Sequence, residues 1–286
     1  MIPSSFDYSA PETISEALKL LAAHPESKLL AGGQSLIPLL KLRLAAPEHL
    51  IDLARVPDLH FIAETGDVIR IGAMTTHHQI ESSDLLREKC PLLAATAGNI
   101  GDVQVRNRGT IGGSVAHADP AADYPGALLA LEAKVKVIGA KGGRELSIED
   151  FLVDALTTAL EPGEIVTEIV VPVETKGAGT AYRTLVQPAS GFAIVGVGVR
   201  LAASGGKISL ARIGITGVAS KPYRARAVEK ALEGQAPDAA VFAEAALLAA
   251  EGVEALTDMH AAADYRSHLA AVETRRALED AAAGLA

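Results

Sequence analysis

Apolar residues Ile14, Leu18 and Leu21 fall near helical spacing in "TISEALKLLAAHPES", and Thr13 with Glu16 three positions on has the spelling of a capping box, so a helix starts here. The run "SKLLAGG" is short, apolar and closed by Gly32-Gly33, which predicts a buried strand stopping at the glycines. "SLIPLLKLRL" then reads as a short helix opened by Ser35, and "EHLIDL" as the next strand. These elements make a compact subdomain over about residues 1-55. From "DVIRIGAMTTHHQI" to "EIVTEIVVPV" short strands mix with helices at about 84–98 and 122–132, the order of a larger α+β subdomain over 56-176.

The polar, glycine-bearing stretch "ETKGAGT" at 174–180 is the best boundary in the chain. Beyond it, "AIVGVGVRLA" alternates Val195, Val197 and Val199 with Gly196, Gly198 and Arg200, the period of a strand with one covered face and a glycine face open to close packing. "KISLARIGITGV" is its hairpin partner, and alanine-rich stretches at about 222–233, 237–251 and 261–283 read as helices. The prediction for 178-286 is a separate domain with a small antiparallel sheet covered by helices.

Composition narrows the function classes. At 286 residues and 49% hydrophobic, the chain can bury a real core. Its 26 basic against 35 acidic residues, net charge -9, show no basic stripe, which argues against nucleic acid as a partner. No apolar run reaches the roughly 20 residues of a membrane span, and "MIPSSFDYSAPET" lacks signal-peptide character, so a cytoplasmic location is expected. The single cysteine, Cys90, excludes an internal disulfide and falls far short of an iron–sulfur ligand set; it reads as a small buried hydrophobe. No metal site is predicted, and no catalytic acid–base pair stands out. His77-His78 reads as a helix start, capping or solvent-exposed.

Chemistry concentrates at two glycine pairs. "LLAGGQSLIPLL" and "NRGTIGGSVAHADPAADYP" each set a Gly-Gly pair before a serine, and bare backbone there would let a ligand meet the amide N–H groups directly. A helix opening just after adds attraction for phosphate. Two such segments from separate subdomains would grip one pyrophosphate from both sides. On the residues alone, tight turns and a phosphate cradle both stand. Neither the G-x-G-x-x-G nor the G-x-x-x-x-G-K-[ST] spelling is present. Asp119 and Asp123 are either helix-start carboxylates or, for Asp123, an acceptor for sugar or ribityl hydroxyls.

Three stretches, "AGGQSLIPLLKLRLAAPEHLIDL", "IGAMTTH" and "VRNRGTIGGSVAHADPAADYPGALLAL", together resemble the FAD-binding medium subunit of the molybdenum hydroxylases, the family of carbon monoxide dehydrogenase and xanthine dehydrogenase. The resemblance implies an α+β chain: a two-lobed FAD-binding fold of the vanillyl-alcohol-oxidase (PCMH) type over 1-176, then a C-terminal domain of the carbon monoxide dehydrogenase flavoprotein type. It implies that Ala31, Gly32, Gly33, Gln34, Ser35 and Leu36 form the first pyrophosphate loop, and Thr110, Ile111, Gly112, Gly113 and Ser114 the second. Asp123 matches an acidic cofactor contact, and Ile165 an aliphatic residue near the flavin ring. Phe192 stands where the carbon monoxide type has a tyrosine covering the ring, and Gln34 where a histidine is common.

By the same resemblance the chain passes electrons from two [2Fe-2S] clusters of a small subunit through FAD to an external acceptor. A large molybdenum-pterin subunit oxidises the substrate, in a heterohexamer. Two other readings fit the residues: a self-sufficient FAD-dependent oxidase, which needs convergent acid–base groups of its own, and a non-catalytic interaction protein whose glycines are turns.

Overall fold

A computed structural model describes residues 2–285. The first lobe carries β1 (Asp7–Ser9), α1 (Ile14–Ala23), β2 (Lys28–Leu30), α2 (Leu36–Lys41) and β3 (His49–Asp52). All pairing in its sheet is parallel, in the order β1-β3-β2. Thr13 Oγ1 caps α1 by accepting from Glu16 N–H at 3.1 Å, but the Glu16 carboxylate takes the amide of Glu12 at 2.9 Å, so the reciprocal bond sits one residue early. β2 is an edge strand and is exposed to half-buried, not buried as its apolar sequence predicts.

The second lobe begins with β4 (Ile62–Thr65) and β5 (Val68–Gly72), followed by helices α3 (His77–Ser82), α4 (Asp84–Lys89), α5 (Pro91–Asn99), α6 (Val103–Arg106), α7 (Ile111–His117) and α8 (Asp123–Ala130). It continues through β6 (Lys134–Gly139), β7 (Gly142–Ser147), α9 (Ile148–Phe151), β8 (Leu152–Asp154), β9 (Thr157–Thr158) and β10 (Ile165–Pro172). The main sheet runs β4-β5-β10-β6-β7, antiparallel throughout. Ile69, Ile71, Val135, Val137, Ile169 and Val171 bury one face with the helices, while Arg70 and Lys136 pair with Glu168 on the other. The single helix expected over 84–98 is two, because Cys90 leaves helical geometry (φ -151) and Pro91 starts a new helix where its missing N–H costs nothing. Met74 and Ile165 from this lobe complete the first lobe's core around Ala17, Ile51 and Leu59.

The C-terminal domain is the expected antiparallel sheet under helices: β11 (Gly179–Val186), β12 (Ala193–Ser204), β13 (Lys207–Thr216) and β14 (Tyr223–Arg224), with α10 (Arg226–Leu232), α11 (Ala239–Ala246) and α12 (Ala263–Ala282). Tyr223 and Arg224 pair with β13 instead of opening the helix predicted from about 222, because Gly214 and Ile215 present them an open sheet edge. Gly205 and Gly206, both at positive φ, make the two-residue turn that joins β12 to β13. Val195, Val197 and Val199 enter this domain's core, and the glycine face takes α8 of the second lobe. A Cβ at Gly198 would lie 2.9 Å from Ala127 Cα, and one at Gly214 would lie 2.0 Å from Gly126 O. The boundary region is tied down as well: Glu174 and Arg200 form a buried ion pair at 2.8 Å.

Helix and sheet therefore meet at backbone distance, and Gly214→Ala has no side-chain movement available to relieve the clash. We expect it to destabilise the chain by about 3 kcal/mol or more, read as a lowered midpoint in urea; a wild-type midpoint would show that α8 does not seat on this sheet.

Candidate functional site

The first glycine pair lies in the bend between β2 and α2. Gly33 sits at φ +74, a region L side chains rarely adopt, and turns the chain into the helix. Ser35 occupies the position before α2 in helical geometry and makes no side-chain cap, unlike the role its place suggests. Gln34 Nε2 donates to Gly32 O at 3.2 Å and folds over the bend. The amides of Gly32, Gly33, Gln34, Ser35 and Leu36 find no acceptor among the described residues; the next amide, Ile37, bonds Gly33 O at 3.0 Å. Successive free N–H groups at a turn entering a helix attract an anion such as a phosphate.

The second pair is built differently. Ile111 N–H donates to Thr75 O at 3.1 Å, Gly112 to Ala73 O at 2.9 Å, Gly113 to Thr110 Oγ1 at 3.2 Å and Ser114 to Thr110 O at 3.0 Å. The pair is the first turn of α7, not a loop, and its amides are already satisfied, so the chain does not build one anion nest twice. Gly112 is small because α7 lies on the 72–74 backbone: a Cβ there would be 2.5 Å from Ala73 Cβ. What this segment turns outward is half-buried Gly113 and Ser114.

The two segments meet. A Cβ on Gly32 would lie 2.1 Å from Arg108 O and 2.6 Å from Gly109 Cα, and one on Gly113 would lie 3.3 Å from Ala31 Cβ. Gly109 in turn abuts His77, whose Nε2 is 2.5 Å from where a Gly109 Cβ would sit. His77 follows Thr76, which caps α3 in a reciprocal capping box with Gln79. The imidazole is neither a cap nor solvent-exposed. It is buried edge-on against Tyr124, ring centroids 5.2 Å apart, and its Nδ1 has no partner among the described residues. Burial, helped by the positive charge of Arg106, lowers its pKa from 6.5 to about 4. His78, by contrast, is exposed.

Asp119 Oδ1 accepts from Ala121 N–H at 2.9 Å and shapes the turn before α8. Asp123 opens that helix but is only 5% exposed, and Oδ1 accepts the Tyr182 hydroxyl at 2.6 Å. Desolvation raises its pKa to about 6, against the lowering effect of that bond. It is thus a buried acceptor shared with the C-terminal domain, which a bare helix-start carboxylate is not. Ile165 is buried in the inter-lobe core on which Ala31 also packs. Phe192 is 47% exposed at the end of a turn closed by Gly191 N–H to Gln187 O and Gln187 N–H to Phe192 O, 2.9 and 2.8 Å. That turn abuts Gly101, whose carbonyl, with that of Ile100, accepts from the Arg106 guanidinium at 3.1 Å.

Tyr182 and Arg106 escaped the sequence reading because each acts on a distant segment; the "VRNRG" spelling marks Arg106 only as one basic residue among several. Cys90 is buried, its thiol pushed up to about 12, as suits an inert core residue. No group of three potential metal ligands occurs among the described residues. A separate open groove of about 860 Å³, between Pro57 and Phe61 on one side and Arg70, Lys136 and Glu168 on the other, shares no residue with the glycine segments.

Residues 4–174 match the family model described as the FAD binding domain in molybdopterin dehydrogenase, and residues 180–281 the model of the CO dehydrogenase flavoprotein C-terminal domain. The chain is 42% identical to the carbon monoxide dehydrogenase medium chain of Afipia carboxidovorans, over 99% of both chains. It is 36% identical to the glyceraldehyde dehydrogenase medium chain of Sulfolobus acidocaldarius, over 99% of this chain and 100% of that one. Among solved structures, a chain of carbon monoxide dehydrogenase from Hydrogenophaga pseudoflava, in a form lacking the Mo-pyranopterin moiety, superimposes with a TM-score of 0.97 at 42% identity, covering all of both chains.

Because His77 in the folded chain resists protonation down to about pH 4, the unfolded chain binds its proton first. Stability therefore falls as pH drops from about 6.5 towards 4, by on the order of 3 kcal/mol at most from this group. In urea titrations the stability of wild type relative to His77→Gln should fall by this amount across the range, the raised Asp123 carboxyl acting in the opposite sense in both chains; a difference that does not change with pH would place the imidazole in water.

Proposed function

The chain belongs to the family of FAD-binding medium subunits of the molybdenum hydroxylases, of the carbon monoxide dehydrogenase type, and from that membership we propose that it is the electron-exit module of its complex. It is an oxidoreductase subunit, and its cofactor is FAD. Bound FAD supplies a carrier that accepts and releases electrons; the chain supplies position and electrostatics. The observation that carries the site assignment is the run of five unpartnered amides from Gly32 to Leu36, set directly against the Thr110–Ser114 segment.

The residues fit the cofactor in kind. The amides from Gly32 to Leu36 are the donors for a pyrophosphate, and Ala31 is the wall they rise from. Opposite them, Thr110, Ile111 and Gly112 seat the turn from inside, and Gly113 and Ser114 contribute a surface kept bare at Gly113 and the Ser114 hydroxyl, not further free amides. The Asp123 carboxylate accepts a hydroxyl of the cofactor. Phe192 offers an aromatic face to the flavin ring, and Ile165 supports Ala31 from behind. Gln34 takes the place the family gives to histidine, with its amide group turned back on Gly32. Each amide bond to a phosphate oxygen is worth roughly 1.5 to 3 kcal/mol.

In this reading the electrons arrive from two [2Fe-2S] clusters on a small subunit, fed by a large molybdenum-pterin subunit, and leave to an external acceptor. The three chains form a heterohexamer with two copies of each. Support comes from this chain's own inventory: one cysteine in all, and among the described residues no metal-ligand cluster. Relatives over the full length are likewise named as medium chains. A cytoplasmic site of action is consistent with a described chain that has no helix long and apolar enough to cross a membrane.

The visible spectrum of the purified chain, mixed with FAD and desalted, tests the assignment. Flavin bands should remain with the protein. In Gly113→Val the new side chain starts 2.9 Å from Thr110 Oγ1 and 3.3 Å from Ala31 Cβ, filling the gap between the segments. That variant should bind FAD at least about tenfold more weakly, from loss of one or more charge-assisted bonds. Wild-type retention in the variant would move the pyrophosphate elsewhere.

A further inference from the structure

The stretch leading from α7 into the first residue of α8, residues 119–123, belongs to the FAD-binding lobe, yet the C-terminal domain holds it along its length. Thr216 Oγ1 lies 2.6 Å from Pro120 O and 2.8 Å from Ala122 O. Gly217 N–H donates to Pro120 O at 2.7 Å, and Ala193 N–H to Ala121 O at 3.3 Å. Behind them the buried Arg266 guanidinium, on α12, donates to Ile194 O at 2.8 Å and Gly217 O at 2.6 Å, fixing the two strand ends that make these contacts. The last contact is the Tyr182 hydroxyl on Asp123 Oδ1 at 2.6 Å, between a half-buried tyrosine and a buried carboxylate.

The route for that hydroxyl is built into the sheet. A Cβ at Gly196, two residues along β12 from Tyr182's partner Gly198, would lie 2.4 Å from Tyr182 Oη, so any larger residue there would displace it. Tyr182 is the only side-chain donor to the Asp123 carboxylate among the described residues, and the residue's own backbone N–H also favours its charged form. One oxygen of the carboxylate is thus fixed by the C-terminal domain and the other is left to accept.

We propose that Tyr182 is a positioning residue of the cofactor site: by holding Asp123 Oδ1 from the neighbouring domain it aims Oδ2 at a cofactor hydroxyl, so that FAD is retained only when the C-terminal domain is seated on residues 119–123. This rests on the FAD reading above. It assigns the C-terminal domain a second contribution besides Phe192, exerted through the carboxylate and not by touching the cofactor.

Removing the Tyr182 donor also frees the carboxyl to take a proton at higher pH. Asp123 is acted on by burial, by the Tyr182 hydroxyl and by its own backbone N–H; the titratable groups on the neighbouring elements are Tyr124 beside it, His77 and Glu81 on α3 next to Tyr124, His117 at the end of α7, and Glu149 and Asp150 on α9, Glu149 being paired with Arg226. α5 brings none. Arg212 and Arg224 pair with Glu132 beyond the far end of α8, and Arg183 on β11 pairs with Asp280.

The experiment is a titration of the full-length apo chain with FAD, followed by flavin fluorescence from pH 5 to 9, for wild type, Tyr182→Phe, Asp123→Asn, the double variant and Thr216→Val. Tyr182→Phe should weaken FAD about tenfold at pH 8, the scale of one hydrogen bond to a charged group. The double variant should be no weaker than Asp123→Asn alone, because the tyrosine acts through the carboxylate. The pH at which affinity falls on the acid side should move up in Tyr182→Phe and stay in place in Thr216→Val, which loosens the segment without touching the carboxyl. Wild-type affinity and pH profile in Tyr182→Phe, or full additivity in the double variant, would overturn the assignment. Failure of the unaltered chain to bind FAD at any pH would overturn the cofactor reading itself, and this assignment with it.

Discussion

Everything at the site depends on two stretches of backbone approaching closer than side chains permit. Gly32 rests on the Arg108–Gly109 peptide, Gly109 rests on the His77 ring, and Gly112 rests on Ala73. Each of these glycines is small for the sake of the protein, since a Cβ at any of them would fall within 3.0 Å of a neighbour. The apposition locks the first lobe onto the second and leaves the bend from Gly32 to Leu36 with its amides turned away from every protein acceptor described. Glycine-rich segments thus do two jobs here, and only one of them is to leave donors free.

The same economy of side chains recurs where the third unit joins. Gly196, Gly198 and Gly214 let the C-terminal sheet receive α8 and the Tyr182 hydroxyl, so the helix opened by Asp123 is shared between domains. His77 packs against the ring of Tyr124, the residue after Asp123, and both His77 and Asp123 are buried. Burial drives the two in opposite directions, the imidazole towards neutrality by a lowered pKa and the carboxyl towards neutrality by a raised one. The Tyr182 hydroxyl, together with the Asp123 backbone N–H, favours the ionised carboxylate.

Much of this was legible in the sequence. Helical spacing, the N-cap at Thr13, the Gly-Gly stop after "KLL" and the valine–glycine alternation at 194–199 are local signals, and the structure honours them because tertiary packing follows the same periods. The glycine face of β12 was readable as a surface for close packing, though not its occupant, α8. Local pattern misled where the deciding partner was remote. The amides at 111–114 are satisfied by residues 73, 75 and 110, His77 is buried by Tyr124, and β14 pairs with β13 in place of helix. Tyr182 carries no local signature at all, since its meaning depends on a carboxylate 59 residues earlier.

The most direct measurement is residue-resolved hydrogen exchange of the apo chain and of the chain with FAD. The account predicts fast exchange at Gly32 to Leu36 without cofactor and strong protection with it, while Ile111 to Ser114 are protected in both states. Protection appearing at 111–114 on binding with no change at 32–36 would contradict it, and would place the phosphate cradle on the second glycine pair.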